Sequence, residues 1–488
     1  GAEPIPIRRL SRASDRGRLP ASRGSELRFR EGERPVAKQK KGSKRKGSRN
    51  RPIPVINPNA AGIDVGAREV YVAAPQDRDP EPVRTFATFT PDLVELANWL
   101  AVCGVTTVAM EATSVYWMPL FTILEERGIE VCLVNARHLR RVPGRKTDVL
   151  DCEWLQYLHS VGLLRGSFHP SEAVAAVRTV LRHKASLVQM GSSHVQHMHK
   201  ALTQMNLQIH HVISDITGVT GMAILDAILA GERCPQVLAE LRHRTIKADE
   251  KTLAKALTGT WRREHLFTLR QSLGAYRHYQ AQIQQCDEEL HQLLGSFGSR
   301  VDPDEDPLPP APGRRREPRG FDLRTEFYRI FGTDLTAIPG IEVHTIQTLF
   351  AECGRDLSSF PTAGDFASWL GLCPDNRITG GKVISTRTRK VNNPAANALR
   401  LAAQSLHRSP SALGDYYRRM RYRQGPAKAI TSTAHKLARI LFTLVTTRQF
   451  YDETVLAQHQ HQTRARKTRR LKTQAAALGF DLVPVEAT

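Results

Sequence analysis

The alternation of apolar and polar positions between about residue 55 and residue 165 predicts an ordered series of strands and helices. AGIDVG, EVYVAAP and TFATF are apolar runs separated by short polar turns, which is typical of a three-stranded meander. Helical periodicity follows in PDLVELANWLAVC, and the apolar strands TTVAME and IEVCLVN flank an amphipathic helix, VYWMPLFTILEERG. TDVLDCEWLQYLHSVG closes the region as a further helix.

Three strands, helix, strand, helix, strand and helix is the element order of a ribonuclease H fold. We therefore assign residues 53–170 to an α/β domain of that kind. Residues 171–300 are helical, and their long amphipathic stretches predict a coiled-coil arm that dimerises the protein or holds nucleic acid. A Pro-rich linker at 301–321 leads to a mostly helical, all-α unit at 322–455.

The charge of the chain is carried by both its tails and its body. Residues 1–52 contain few apolar side chains and predict a disordered basic tail, and residues 456–488 predict a basic helical tail. The formal net charge is +22, and the first fifty residues contribute 16 Lys or Arg against 5 Asp or Glu. The body supplies the other half of the excess, so the expected partner is a polyanion, with nucleic acid first.

The cysteines and the hydropathy of the chain indicate the cellular compartment in which the protein is expected. The seven cysteines form no CxxC pair, which favours free thiols in a reducing cytoplasm. The apolar runs stay shorter than the roughly 18 residues that a membrane span needs, and the N-terminus lacks a secretory apolar core. We expect a cytoplasmic, nucleoid-associated protein with no membrane partner.

Four carboxylates occur where the predicted elements would bring them together. Asp64 lies in the first strand, Glu111 closes TTVAME, and Asp148 and Asp151 lie three apart on the last helix. A single Asp at a strand end is more often a turn or cap residue, but like charges at i and i+3 of a helix repel without a cation. Carboxylates at two strand ends and on a neighbouring helix can hold two divalent cations that clamp a phosphodiester. We predict two Mg²⁺ ions, with Mn²⁺ as the alternative, at these four residues.

Two further segments carry candidate chemistry. Arg145 and Lys146 lie just before the helical carboxylates and predict a clamp on a nucleic-acid backbone, with a solvated loop as the plain alternative. In the segment 376–406, Gly380 and Gly381 predict a tight turn among cations and hydroxyls. This turn is either a phosphate-binding loop that leads into a helix or the place of a hydroxyl nucleophile for covalent phosphoryl transfer. The cations expected to bind nucleic acid there are Lys382, Arg387, Arg389 and Lys390.

GIDVGAREVYVA, VAMEATSVYW and LVNARHLRRVPGRKTDVLDCEWL together resemble the DEDD transposases of insertion sequences. ASWLGLCPDNRITGGKV and ALRLAAQSLHRSPSALGDYYRRMR resemble the C-terminal transposase domain of the same family, and the motifs follow the family's order over about 55–455. The resemblance implies a RuvC-like nuclease domain, a coiled-coil arm and a C-terminal domain with a catalytic serine. It also implies a non-coding bridge RNA that pairs with both donor and target DNA.

Transferred to this chain, the resemblance puts the metal-binding quartet on the four carboxylates and the nucleophile beside the Gly-Gly turn. Many relatives have a serine at this turn, whereas this chain has Thr379, whose extra methyl group stiffens the side chain. Ser385 is the nearest serine, so the nucleophile is either Thr379 or Ser385.

The function expected from these observations is DNA transposition by site-specific recombination. Because recombination joins two duplexes, we expect a homodimer or homotetramer assembled through the arm. Two alternatives stay open. One is a metal-dependent nuclease of the junction-resolvase type, in which water attacks. The other is a nucleic-acid-binding protein without catalysis.

Overall fold

The computed structural model describes residues 54–112, 114–135, 148–309 and 321–481. The predicted disordered tail at 1–52 lies outside the described residues, as do Arg145, Lys146, the linker segment 310–320 and the last seven residues. The helix backbone at Asp148 is described but its side chain is not.

The first domain is built on a five-stranded sheet in the order β3-β2-β1-β4-β5. β1 pairs antiparallel with β2 and parallel with β4. At the two edges, β3 pairs antiparallel with β2, and β5 pairs parallel with β4. The strands are β1 (Ala60–Val65), β2 (Glu69–Ala73), β3 (Val83–Ala87), β4 (Thr107–Glu111) and β5 (Glu130–Val134). The helices are α1 (Thr90–Val102), α2 (Trp117–Glu126) and α3 (Asp148–Ser160).

The predicted element order of this domain is confirmed. β1 and β4 are buried almost throughout, which explains why they appear in the sequence as continuous apolar runs. One boundary is wrong, because β3 ends at Ala87 instead of Phe89. Phe89 has extended backbone at the N-terminus of α1, where a proline in the first turn favours the start of a helix.

Helix α3 crosses β1 in direct backbone contact at Gly62. A Cβ atom at position 62 would lie 2.2 Å from the carbonyl oxygen of Cys152 and 2.3 Å from the amide nitrogen of Gln156. The Gln156 side-chain amide also donates a hydrogen bond of 3.2 Å to the Ala60 carbonyl oxygen. The glycine therefore allows the helix of the predicted metal site to lie against the strand that carries Asp64.

Gly62→Ala is expected to lower the free energy of unfolding by roughly 3 kcal/mol, because the added methyl group overlaps backbone atoms that cannot move without displacing the helix. The matched control is Gly274→Ala on a long helix, where an added Cβ meets nothing within 4 Å. This control should gain about 0.5–1 kcal/mol, since alanine favours helix. Urea unfolding followed by circular dichroism measures both, and a Gly62→Ala protein as stable as wild type would contradict the packing described.

Two 33-residue helices follow, α4 (Glu172–Gln204) and α8 (Arg263–Gly295). They pack antiparallel. Lys184 forms an ion pair with the buried Asp287, and two turns later along α4 Gly191 approaches Tyr279, which lies two turns earlier along α8. Three short helices with their own apolar core connect them, namely α5 (Val219–Ala230), α6 (Pro235–Glu240) and α7 (Glu250–Ala256). The predicted helical pair is present, whereas its action as a coiled-coil dimerisation arm stays a prediction.

The C-terminal unit is mostly helical, as predicted, and its core also takes in the bases of α4 and α8 through residues such as Val177 and Leu290. It contains one strand pair that the sequence pattern did not predict. Its helices are α9 (Leu323–Phe331), α10 (Val343–Cys353), α11 (Ala363–Trp369), α12 (Pro394–Ser405), α13 (Ala412–Gln424), α14 (Pro426–Thr447) and α15 (Glu453–Ala477). The two strands are β6 (Arg377–Thr379) and β7 (Lys382–Ser385).

Polar contacts attach the start of the predicted linker to this unit. Buried Arg324 forms an ion pair of 2.5 Å with buried Asp334 and donates a hydrogen bond of 2.8 Å to the Pro309 carbonyl oxygen. The Tyr328 hydroxyl donates to the Asp306 carboxylate at 2.8 Å. Residues 301–309 therefore pack on the C-terminal unit.

The described ranges contain no helix that is both long enough and apolar enough to cross a bilayer. All seven cysteines are free, and four of them are buried: Cys103, Cys152, Cys286 and Cys353.

Candidate active site

Two of the predicted carboxylates are neighbours at the ends of parallel strands. The register between β1 and β4 pairs Ile63 with Met110, so the next residue of each strand, Asp64 and Glu111, lies beside the other. Residues matched in a parallel ladder point to the same face of the sheet. Both side chains are half-buried. The structure thus brings together two carboxylates that are 47 positions apart in the sequence (111 − 64).

Helix α3 brings the third carboxylate, Asp151, towards this strand end. The residue after it, Cys152, contacts the strand two positions before Asp64, and Asp151 is half-buried. Burial raises the pKa of the Cys152 thiol to about 12, and the negative charge of Asp64 contributes to the rise. Asp151 therefore lies on the helix that packs against the strand of Asp64, but the described side chains of Asp64, Glu111 and Asp151 do not gather into a group of three. Asp148 begins α3, one turn earlier, and the position of its side chain stays a prediction.

The donor set suits a hard divalent cation, because carboxylate oxygens are the ligands that Mg²⁺ and Mn²⁺ prefer. Across the described side chains, no three His, Cys, Asp or Glu residues are close enough together to enclose a metal ion, and Asp148 lies outside that set. Mg²⁺ usually takes only one or two protein carboxylates and completes its shell with water and substrate phosphate. The adjacent pair Asp64 and Glu111 fits that mode of binding.

The Gly-Gly segment forms a β-hairpin. Thr379 pairs with Lys382 across Gly380 and Gly381, which have φ angles of 55° and 77°. Two consecutive positive φ angles are the requirement of a tight hairpin turn. The predicted tight turn is confirmed, but it closes a strand pair, and the helix α12 begins only at Pro394. The signal for the hairpin was the Gly-Gly pair itself, which is typical of a two-residue hairpin turn.

The two candidate hydroxyls differ in their surroundings. Thr379 is exposed beside the turn, whereas Ser385 is half-buried at the end of β7. The Ser385 Oγ accepts a hydrogen bond of 3.3 Å from the Arg387 backbone amide. Among the described contacts, neither hydroxyl is hydrogen-bonded to Asp64 or Glu111. The structure therefore describes the strand-end carboxylates and the hairpin as two separate groups of residues.

The cations of the hairpin fall into two kinds. Lys382, Arg387 and Lys390 have exposed side chains. Arg389 is exposed as well, but it donates a hydrogen bond of 2.5 Å to the Ser368 carbonyl oxygen and so holds the base of the hairpin to α11. Arg145 and Lys146, predicted as a backbone clamp, lie outside the described residues.

Aromatic and polar contacts join the sheet domain to the C-terminal unit. Phe168 lies between the two, and its ring centroid is 5.2 Å from that of Phe360 and 5.5 Å from that of Trp369. At the base of the arm, Arg178 donates hydrogen bonds of 2.8 Å and 2.9 Å to the carbonyl oxygens of Ala351 and Glu352. Helix α11, to which Arg389 holds the hairpin, is thus in direct contact with Phe168 at the end of the sheet domain.

The sheet order, the strand-end carboxylates and the helix laid across β1 define a mixed α/β domain that is consistent with a RuvC-like fold. Two family models match this chain. Residues 61–207 match the transposase model of the DEDD, IS110 type, and residues 332–418 match the model described as the transposase IS116/IS110/IS902 family. Both matches, in this order along the chain, support an IS110-family DEDD transposase.

A curated relative agrees with this assignment. The chain is 30% identical over 125 residues to the insertion element IS110 uncharacterized 43.6 kDa protein of Streptomyces coelicolor. The aligned region covers 25% of this chain and 31% of the relative. The match therefore supports the family and spans less than a third of the relative's length.

Proposed function

We propose that this chain is the transposase of an insertion sequence, which cleaves and rejoins DNA strands with metal-bound carboxylates and a hydroxyl nucleophile. The observation that carries the proposal is the adjacency of Asp64 and Glu111 at the ends of parallel strands, inside the region that matches the DEDD transposases. The net charge of +22 supports a nucleic-acid substrate.

The residues that would hold divalent cations are Asp64, Glu111, Asp148 and Asp151. When bound, Mg²⁺ supplies charge neutralisation at the scissile phosphate and eases deprotonation of the attacking hydroxyl. The half-burial of Asp64 and Glu111 limits the water around the two carboxylates, which strengthens their hold on a cation.

We assign the nucleophile to Ser385 in preference to Thr379. Its half-buried position and its hydrogen bond from the Arg387 amide fix the hydroxyl, and a donor to the oxygen favours its deprotonated form. Attack of the Ser385 oxygen on phosphorus forms a phosphoserine bond and releases one DNA end as a free hydroxyl. Attack by a hydroxyl of the second DNA releases the serine again. The number of phosphodiester bonds is conserved.

The partners in this proposal are donor DNA, target DNA and a non-coding guide RNA. Exposed Lys382, Arg387 and Lys390 would contact strand backbones near the nucleophile. The long antiparallel pair α4 and α8 would join two or four copies, because two duplexes must be held at once.

The test is strand exchange between a donor and a target plasmid by the purified full chain together with the RNA that co-purifies with it. We expect joined products with Mg²⁺, and loss of these products on chelation with EDTA or after RNase treatment. Sequencing of the co-purified RNA should yield one discrete non-coding species.

The rival functions give different products in the same reaction. A junction-resolvase type of nuclease would cut without rejoining, so linear or nicked DNA alone would exclude the recombinase. A binding protein would leave both plasmids intact with or without Mg²⁺. If RNase treatment does not change the yield of joined products, the guide RNA is removed from the proposal and the transposase activity is retained.

A further inference from the structure

A cavity of about 710 Å³ lies in the C-terminal unit between α13, α14 and the chain that leads into α15. Its size falls within the range of roughly 300–1,000 Å³ that is usual for small-ligand sites. It is lined by two cations of α14, Lys436 and Arg439, and by the aromatic residues Tyr416, Phe450 and Tyr451. Neither the strand-end carboxylates nor the hairpin lines it.

The cations of the cavity lack acidic partners. The Lys436 ammonium lies 4.6 Å from the centroid of the Tyr416 ring, where the ring face attracts it. Burial lowers the pKa of Lys436, and the positive charge of Arg419 lowers it further. Within the described part of the chain, Lys436, Arg439 and Arg419 form no ion pair. Lys436 is half-buried, whereas Arg439 and Arg419 are exposed. Clustered positive charges without an acidic partner, one of them partly removed from water, favour an anionic ligand.

The aromatic side of the cavity offers a planar surface and an unused hydroxyl. Phe450 is 57% exposed, yet its ring is supported by Tyr328 at a centroid distance of 6.3 Å. The Tyr451 hydroxyl is buried in the cavity wall and has no hydrogen-bond partner among the described residues. An exposed, supported ring suits stacking of a planar ligand, and a buried hydroxyl without a partner calls for a polar atom of that ligand.

We propose that this cavity binds one unstacked nucleotide, with its phosphate at Lys436 and Arg439 and its base on Phe450. The acidic residue of the lining, Asp452, already accepts a hydrogen bond of 2.8 Å from the Thr454 amide at the start of α15. Its negative charge excludes a phosphate from that side and leaves the α14 side for it.

The same chemistry is present in a free nucleotide and in an unpaired residue of a strand. We assign the strand as the source, since strand exchange exposes unpaired bases, and in this respect the site rests on the function proposed above. The cavity gives the protein a place to hold such a base away from the candidate active site.

The experiment uses the full chain and two fluorescent probes, 2-aminopurine nucleoside 5′-monophosphate and a short single-stranded DNA with one 2-aminopurine. Stacking on Phe450 should quench the base. Phe450→Leu should weaken binding about 5- to 100-fold, the usual effect of losing one base–aromatic stack. Lys436→Gln should weaken binding and lower its dependence on salt, because one phosphate contact is lost.

The matched control is Lys428→Gln, which removes an exposed lysine of the same helix outside the cavity and should change the affinity less than about twofold. Quenching of the strand probe supports the proposed source, and quenching of the free nucleotide alone supports the site but transfers it to a free ligand. No quenching of either probe, or equal quenching by wild type and Phe450→Leu, would overturn the proposal. Unfolding curves of the variants check that they are folded.

The experiments distinguish a wrong assignment of the nucleotide site from a wrong assignment of the transposase function. The Asp64→Asn protein should still quench both probes, because Asp64 lies in the sheet domain, far along the chain from the cavity. A wild-type protein that binds the probes but exchanges no strands would refute the proposed function and leave the nucleotide site standing.

Discussion

Asp64→Asn is expected to reduce DNA strand cleavage and exchange on the order of 10³-fold, the effect of removing one preorganised charge from an active site. The amide keeps the size of the side chain and removes the negative charge that a divalent cation needs. Because Asp64 lies beside Glu111 on the neighbouring strand, the variant leaves Glu111 as the only carboxylate of this strand-end pair. The rate of single-turnover cleavage of a labelled donor DNA measures the effect.

The control for this variant is Asp77→Asn, an aspartate of the same domain whose side chain is 77% exposed. It should cleave at the wild-type rate. DNA binding by Asp64→Asn should stay within about threefold of wild type, since most of the affinity comes from phosphate contacts by Lys and Arg. Cleavage by Asp64→Asn at the wild-type rate would remove Asp64 from the catalytic site.

Ser385→Ala is expected to abolish the covalent protein–DNA intermediate and to slow strand exchange roughly 10⁴- to 10⁶-fold, as the loss of a nucleophile does in other enzymes. The hairpin itself should survive the change, because Ser385 contributes its side chain only to one local hydrogen bond, that with the Arg387 amide. A suicide substrate, nicked so that religation is impossible, traps the adduct for detection on a denaturing gel.

Thr379→Val is the matched comparison, because it removes the rival hydroxyl of the same hairpin while keeping the β-branched shape. We expect its adduct to form at close to the wild-type level. The reverse result, an adduct from Ser385→Ala and none from Thr379→Val, would assign the nucleophile to Thr379. Adduct formation by both variants would show that neither hydroxyl is the required nucleophile and would point to another residue. Cleavage without any adduct, in the wild type as well, would favour attack by water.

The sheet domain was predictable from the sequence because its signals are local. The runs around Asp64 and Glu111 are apolar at nearly every position, since β1 and β4 are covered on both faces. The helices between the strands show the 3.6-residue period of a half-buried surface. The adjacency of the two carboxylates was expected from the element order, which is that of a ribonuclease H fold, and the register of β1 with β4 agrees with it.

The hairpin and the nucleotide cavity were harder to predict for a physical reason. Ile378, Val383 and Ile384 are exposed, so β6 and β7 lack the alternation of a strand with one buried face. Lys436 in a long amphipathic helix appears in the sequence as an ordinary surface cation. Only the packing of Tyr416 beneath it and the presence of Phe450 in the same lining make it part of a cavity.

The sequence by itself determined the α/β class of the first domain and the helical character of the rest, because hydrophobic periodicity is a local property of the chain. Its motifs also indicated the family that the comparisons support and the acidic residues proposed for the site. Only the tertiary structure decided that α3 can lie on β1 at Gly62, that Ser385 rather than Thr379 has a fixed hydroxyl, and that cations and aromatic rings surround one cavity. The contact at Gly62 and the cavity depend on residues distant in the chain, and the surroundings of Ser385 depend on the local turn that follows β7. None of these contacts leaves a periodic trace in the sequence.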